Sequence, residues 1–202
     1  DRMREHGGHK VAVFTPPIEW PRYVGIDPGA VHTAKVWLAH DTETGIYYIY
    51  RSSLDGGLST AQHADGAIRI ARENGENVVL WTVGAKSETQ QRMDYQAAGL
   101  PANEPPVHDV ESGIDRVVTL FKQHRLFIFE DQLDLLDEIA TYRRELDDSG
   151  QVTEKIKNKE TYHRLDATRY GVVGATTTSE SAGEIIYGDA PAFSEFASGS
   201  DY

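Results

Sequence analysis

The amino-acid sequence predicts an α/β protein built on one mixed β-sheet, an antiparallel meander continued by parallel strands, with helices on both faces. Three observations carry this. Three strand-like segments follow one another early, with only short turns between them. After residue 59 strands and helical patterns alternate, the order of a sheet covered on two sides. The strand that follows the first helix is a nearly continuous apolar run, as expected of a strand buried on both faces.

The elements follow in chain order. Residues 1–21 read as an irregular lead-in or linker, because Pro16-Pro17 and Trp20-Pro21 forbid a regular helix. Residues 23–27 form a buried strand stopped by Pro28-Gly29, residues 33–40 alternate as a second strand, and residues 46–51 make a third beyond a turn at 41–45. Ala64, Ala67, Ile68 and Ala71 fall on one helical face within 59–74, with Gly75 to end it. A central strand over 77–83 and a helix over 88–98 follow, the latter closed by Gly99 and Pro101. Residues 107–110 read as a short edge strand, and Ile114, Val117, Val118 and Phe121 mark an amphipathic helix capped by Asp109 or Ser112. A strand over 126–129, a helix carrying Leu133, Leu136, Ala140 and Arg143, a two-stranded flap turning at 147–150, and a last helix over 162–173 complete the domain, 22–175. Beyond Ala175 the chain is rich in Ser, Thr, Ala and Gly and has acids but no Lys or Arg, so 176–202 reads as a flexible acidic tail. This order is that of the ribonuclease H-like fold.

Composition narrows the function. A chain of 202 residues suits one sizeable domain. No apolar run approaches 18 residues, so no transmembrane helix is expected, and the charged start does not resemble a signal peptide. Opening on Asp rather than Met suggests a piece of something longer. With no Cys, any metal must be held by oxygen or imidazole. A net charge of -12 argues against a protein that merely coats DNA. It suits an enzyme that holds hard cations on carboxylates and meets nucleic acid through a local basic strip, although solubility alone also accounts for it.

Three acids stand where chemistry would want them. Asp27 ends an apolar strand before Pro-Gly, where ligands gather at a sheet edge, or else it hydrogen-bonds its own turn. Asp166 lies one helical turn from His163, with Tyr170 a turn further; Asp is a poor mid-helix residue, and a surface ion pair with Arg169 or Arg164 is the plain alternative. Glu88 follows the 77–83 strand through a short loop and would come beside Asp27, unless it serves only the dipole of a helix capped by Ser87. Glu130 and Asp131 read as capping residues, and His32, His63, His108 and His124 show no metal-ligand spacing. Lys155, Lys157 and Lys159, followed by Arg164, form a basic stretch that alternation would project from one face of the flap toward a phosphate backbone, or that guards an exposed strand edge.

Phosphodiester hydrolysis needs an activated water and a counter-charge for the leaving oxygen, which two divalent ions roughly 3.5–4 Å apart supply from a bed of carboxylates. Across residues 23–175 the chain resembles the nuclease domain of tailed-phage large terminase subunits. Tyr23 to Gly29, Trp81 to Pro101, and Leu126 to Tyr170, with Glu138, Tyr142 and the Asp-Ala-x-Arg-Tyr ending of His163 to Tyr170, carry the match. The resemblance implies a metal-dependent endonuclease that uses Mg²⁺ or Mn²⁺, with two ions, and cuts double-stranded concatemeric phage DNA during packaging in the host cytoplasm. It assigns Asp27 and Asp166 as first and third metal acids and His163 as site support. Many relatives carry the second acid at the strand end, where this chain has Val83-Gly84, and Glu88 is the nearest replacement. Packaging ATPase domain, portal and small terminase are the implied partners, yet no Gly-x-x-x-x-Gly-Lys-Ser/Thr phosphate loop occurs. A junction resolvase of the same fold, or a non-catalytic docking module of the motor, remains the alternative.

Overall fold

The structure, a computed structural model, describes residues 8–187. Nine strands occur among them: β1 Lys10–Val11, β2 Arg22–Pro28, β3 His32–Asp41, β4 Ile46–Gly56, β5 Val78–Val83, β6 Ala102–Asn103, β7 Leu126–Phe129, β8 Arg144–Leu146 and β9 Val152–Ile156. The helices are α1 Thr60–Glu73, α2 Thr89–Ala97, α3 Val110–Lys122, α4 Leu133–Thr141 and α5 His163–Tyr187, with a 3₁₀ turn at Lys159–Thr161. Seven strands form one sheet in the order β1-β7-β4-β3-β2-β5-β6. The β2, β3 and β4 meander is antiparallel and every other neighbour in that sheet is parallel, so the predicted fold class is the observed one. No helix among the described residues is long and apolar enough to cross a membrane.

Strand periodicity divides the core. Along β2, Val24 and Ile26 face α1 and α2, in a layer with Trp37, Ala64, Ala67, Trp81 and Tyr95. Tyr23 faces the opposite layer, where Val36, Leu38, Ile49, Leu120, Leu135, Ala167 and Val172 meet. Successive side chains alternate, so Asp27 emerges on the Tyr23 side, the face that α5 covers.

Three expectations need correction. The lead-in is not wholly irregular: Lys10–Val11 pairs in parallel with β7, and Phe14 packs edge-on to Tyr48 beside Phe129, since the outer face of β7 needs apolar cover. Arg22, buried, fastens the prolines by donating to the carbonyls of Pro16 and Pro17. No strand forms over 107–110; the edge strand is β6, and Asp109 instead accepts from the Ser112 amide to cap α3. The last helix does not stop near 173 but runs to Tyr187, so the expected tail starts inside a helix, and 188–202 lie outside the described residues. Gly, Ser and Thr are weak helix formers in isolation. Here Gly171, Gly174 and Ala175 are buried on the sheet, and the hydroxyls of Thr176, Thr178 and Ser179 return to the carbonyls of Val172, Gly174 and Ala175. Tertiary packing overrides propensity.

Candidate active site

The site begins with a crossing of backbones. A methyl group on Gly25 would sit 1.9 Å from the Ala167 carbonyl oxygen, and one on Gly171 would sit 3.1 Å from the Gly25 nitrogen. One on Gly174 would meet the Thr82 hydroxyl at 2.3 Å. Helix α5 therefore lies directly on β2 and β5, and three missing side chains fix its height and register. That contact brings the first turn of α5 over the end of β2.

There His163 Nδ1 is 2.9 Å from Asp27 Oδ2. Asp27 is largely enclosed, with 14% of its side chain exposed. Burial pushes its carboxyl up to about 6, against the pull of His163, and the carboxylates of Asp166 and Glu88 push the same way. The Tyr170 hydroxyl is likewise raised by burial, with Asp166, Asp27 and Glu88 all contributing. The three acids chosen from sequence thus share one electrostatic environment.

Asp166 lies in the first turn of α5, not in mid-helix as its sequence surroundings suggested, and an acid there is favoured by the helix dipole. Its Oδ1 accepts from Arg169 at 2.8 Å, so the ion pair weighed as the plain alternative exists, but beside the acid cluster and largely buried. Glu88 comes by a different route. The Gly84 amide continues the β2–β5 ladder by donating to Ile26, and Gly84 then turns with a φ of +67° that other residues rarely adopt. The Glu88 side chain folds back over Gly84, and its Oε2 accepts from the Ala85 amide. Glu88 holds the N-cap position of α2, yet its side chain does not cap the helix, and Ser87 is not the cap. The loop is pinned by Arg92, whose buried guanidinium donates to the carbonyls of Val83, Ala85 and Lys86.

Each carboxylate is thus engaged inside the protein: Asp27 by an imidazole, Glu88 by a backbone amide, Asp166 by a guanidinium. Consistently, no three His, Asp or Glu side chains among the described residues converge at metal-ligand spacing. The donor set, three hard carboxylates at one sheet end, fits Mg²⁺ or Mn²⁺ in kind.

Two residues given no role in the sequence reading hold the start of α5. Glu138 on α4, buried, accepts from the Leu165 amide at 3.1 Å and from Arg164 at 2.9 Å, satisfying an N–H that the helix start would otherwise leave unpaired. Burial raises its carboxyl above the ordinary range although Arg164 pulls it down. Tyr162 donates to the Thr141 carbonyl at 2.8 Å and packs edge-on to Tyr142. The strands β8 and β9 lie between Glu138 and α5, so no local sequence pattern signals this contact.

Arg164, expected with the lysines on a DNA-facing strip, is turned inward. It bridges Glu138 and Asp134 with its side chain 13% exposed, because the α4–α5 junction needs a cation between those acids. Lys155, Lys157 and Lys159 are exposed, as a phosphate-facing role requires. The strand ends at Ile156, however, and Asn158 turns left-handed, so Lys159 sits on the 3₁₀ turn and does not continue the alternation. Arg143, also exposed, stands opposite Lys157, whose amide donates to its carbonyl, and adds a cation that the sequence reading left out. Glu130 and Asp131 do not cap: Gln132 is the N-cap of α4, without a side-chain bond, and Asp131 accepts from Gln132 instead. His108 faces Glu104 and His124 stacks on His9, away from the acids.

Similarity to known proteins bears on the fold. No family model matches the chain, and no curated protein does. Solved structures do. The nuclease domain of the phage P22 large terminase superposes with a TM-score of 0.63 at 22% identity, over 83% of this chain and 87% of that one. The nuclease domain of the large terminase of bacteriophage SPP1, solved with bound Mn, gives 0.59 at 17% identity, over 78% and 97%. The large terminase of a thermophilic bacteriophage gives 0.69 at 17% identity, over 83% of this chain and 43% of that one. At such identities the likeness establishes the fold: the ribonuclease H-like fold of the large terminase nuclease domains.

Proposed function

We propose that this chain is a divalent-metal-dependent endonuclease domain that hydrolyses double-stranded DNA, the cutting part of a tailed-phage packaging enzyme. The observation that supports the reading most is that Asp27, from β2, feels the carboxylates of both Glu88, from the β5–α2 loop, and Asp166, from α5. The SPP1 nuclease domain was solved with bound Mn, which supports the same cofactor class for this chain.

Asp27, Glu88 and Asp166 would hold Mg²⁺ or Mn²⁺, two ions when DNA is present. Bound there, the ions supply an activated water and offset charge on the leaving oxygen. His163 orients the Asp27 carboxylate from its Nδ1 side. The tight seat of α5 on β2 keeps Asp27 and Asp166 in fixed relation, which is what in-line attack demands of its supports. Lys155, Lys157, Lys159 and Arg143 bind phosphates around the flap, and the position of the three lysines just before His163 leads the strand toward the acids. A packaging ATPase domain, portal and small terminase are the partners of such a domain, and the infected host cytoplasm is its place of action.

Incubating linear plasmid and a four-way junction with the chain, with and without Mn²⁺, tests the reading. Metal-dependent cutting of the plasmid is expected. Cutting confined to the junction indicates a resolvase, and no cutting of either in Mn²⁺ or Mg²⁺ indicates a docking module.

A further inference from the structure

Among the three internal partners of the acids, Arg169 differs in kind. An imidazole and a backbone amide leave no obligatory charge behind when a metal takes their acid, whereas a guanidinium stays positive at any working pH. Arg169 NH2 donates to Asp166 Oδ1 at 2.8 Å. Its side chain is 8% exposed, against 25% for Asp166, so the cation is the better enclosed of the pair. It also lies over the Tyr170 ring, 4.5 Å from the centroid. Behind it stands α3: a methyl group on Gly113 would come within 2.9 Å of Arg169 Cδ and 3.0 Å of Cγ. The absence of a side chain at Gly113 therefore provides the groove in which the arginine stem runs, and the side chain is largely enclosed. An ion approaching Asp166 meets an occupied carboxylate and a buried like charge.

We propose that Arg169, placed by Gly113, is a latch on the acid cluster: it competes with the divalent ion for Asp166 and holds the metal affinity of the DNA-free protein low. This rests on the metal-dependent reading above. Arg169 is a positioning residue, since it acts through Asp166 and touches neither metal nor phosphate. The latch also ties the site to α3, a helix that contributes no acid to it.

Calorimetric titration of the full chain with Mn²⁺, without DNA, tests this. Arg169→Gln is expected to tighten Mn²⁺ binding by about tenfold, the order expected from removing one partly screened like charge. The Mn²⁺ concentration giving half-maximal plasmid cutting falls in parallel. Arg169→Lys, which keeps the charge, stays near the parent protein. Gly113→Ala displaces the stem without touching the site and shifts affinity the same way by a smaller factor, which covers the case in which Arg169→Gln does not fold. A mere prop for α5 would lower the melting temperature and leave Mn²⁺ affinity unchanged or weaker in both variants; that result overturns the latch. If the parent chain takes up no Mn²⁺ at all, the metal-dependent reading itself fails, which is a distinct outcome.

Discussion

Asp27, near the end of β2, and Glu88, beyond the end of the neighbouring parallel strand β5, serve the same site by opposite means. Asp27 belongs to its strand: its backbone is paired with β3, and α5 presses on that strand two residues earlier, at Gly25. Glu88 is delivered by a loop that leaves β5 at Gly84, is pinned by Arg92, and returns its side chain over the glycine. One acid is fixed by the sheet itself, the other by a local fold whose parts can be changed without disturbing the core. Damage to the first region should therefore unfold or silence the protein, whereas damage to the second should leave a folded, impaired one.

The largest expected effect is on the seam under α5. Gly25→Ala forces a methyl group into the Ala167 carbonyl, and overpacking at a backbone contact costs about 3 kcal/mol or more. Urea unfolding should show it, and a stability near that of the parent would mean that α5 does not sit on β2 as described. Next comes Asp27→Asn, expected to abolish both cutting and the rise in melting temperature produced by millimolar Mn²⁺. The variant also sharpens the comparison through pH. The folded protein holds the Asp27 proton up to about pH 6, above the ordinary 3.8, so this group's contribution to stability is complete below about pH 4 and is lost as pH rises through 6. Without metal, Asp27→Asn should be the more stable form above pH 6, by up to roughly 3 kcal/mol, and the gap should close on acidification. A gap of the opposite sign would show that the Asp27 carboxylate is stabilised where it sits.

Smaller effects are expected at the loop. Glu88→Gln should slow cutting severely at nearly unchanged stability. Gly84→Ala, strained at positive φ and placing a methyl group 2.5 Å from Glu88 Oε2, should slow it likewise and cost about 1–3 kcal/mol. Near-parental cutting by both variants would remove Glu88 from the site. Smallest is the flap: replacing Lys155, Lys157 and Lys159 by Ala should weaken DNA binding on all sequences and flatten its salt dependence by up to roughly 0.9 log unit per lost phosphate contact. Metal-induced stabilisation should survive, and an unchanged salt slope would assign these lysines to edge protection.

The same contrast explains what could be read in advance. β2, β3, β5 and β7 announce themselves by apolar runs and turn residues, and Asp27 is conspicuous because it breaks such a run. The Asp166 and His163 pair follows from helical spacing. Less legible were the features made by long-range packing. Gly174 and the hydroxyl-rich stretch after Ala175 read locally as lying beyond the helix, because their fitness lies in the strands beneath them. Arg164 reads as a surface cation because Glu138 and Asp134 approach it only in three dimensions. Arg92 and Glu138 orient the site through bonds to backbone groups, for which a sequence carries almost no pattern. Lys159 fails to alternate because Asn158 turns the chain between it and β9.

The seam at Gly25, Gly171 and Gly174 has a consequence for inheritance. It is made of absences: where a side chain would stand, a helix and a strand touch through their main chains. Main-chain atoms are the same in every sequence, so the separation between the strand that bears Asp27 and the helix that bears Asp166 is specified by a few small residues and is indifferent to almost all others. Many of the remaining positions, exposed loops and surface charges among them, can therefore change without altering that contact between the two main chains.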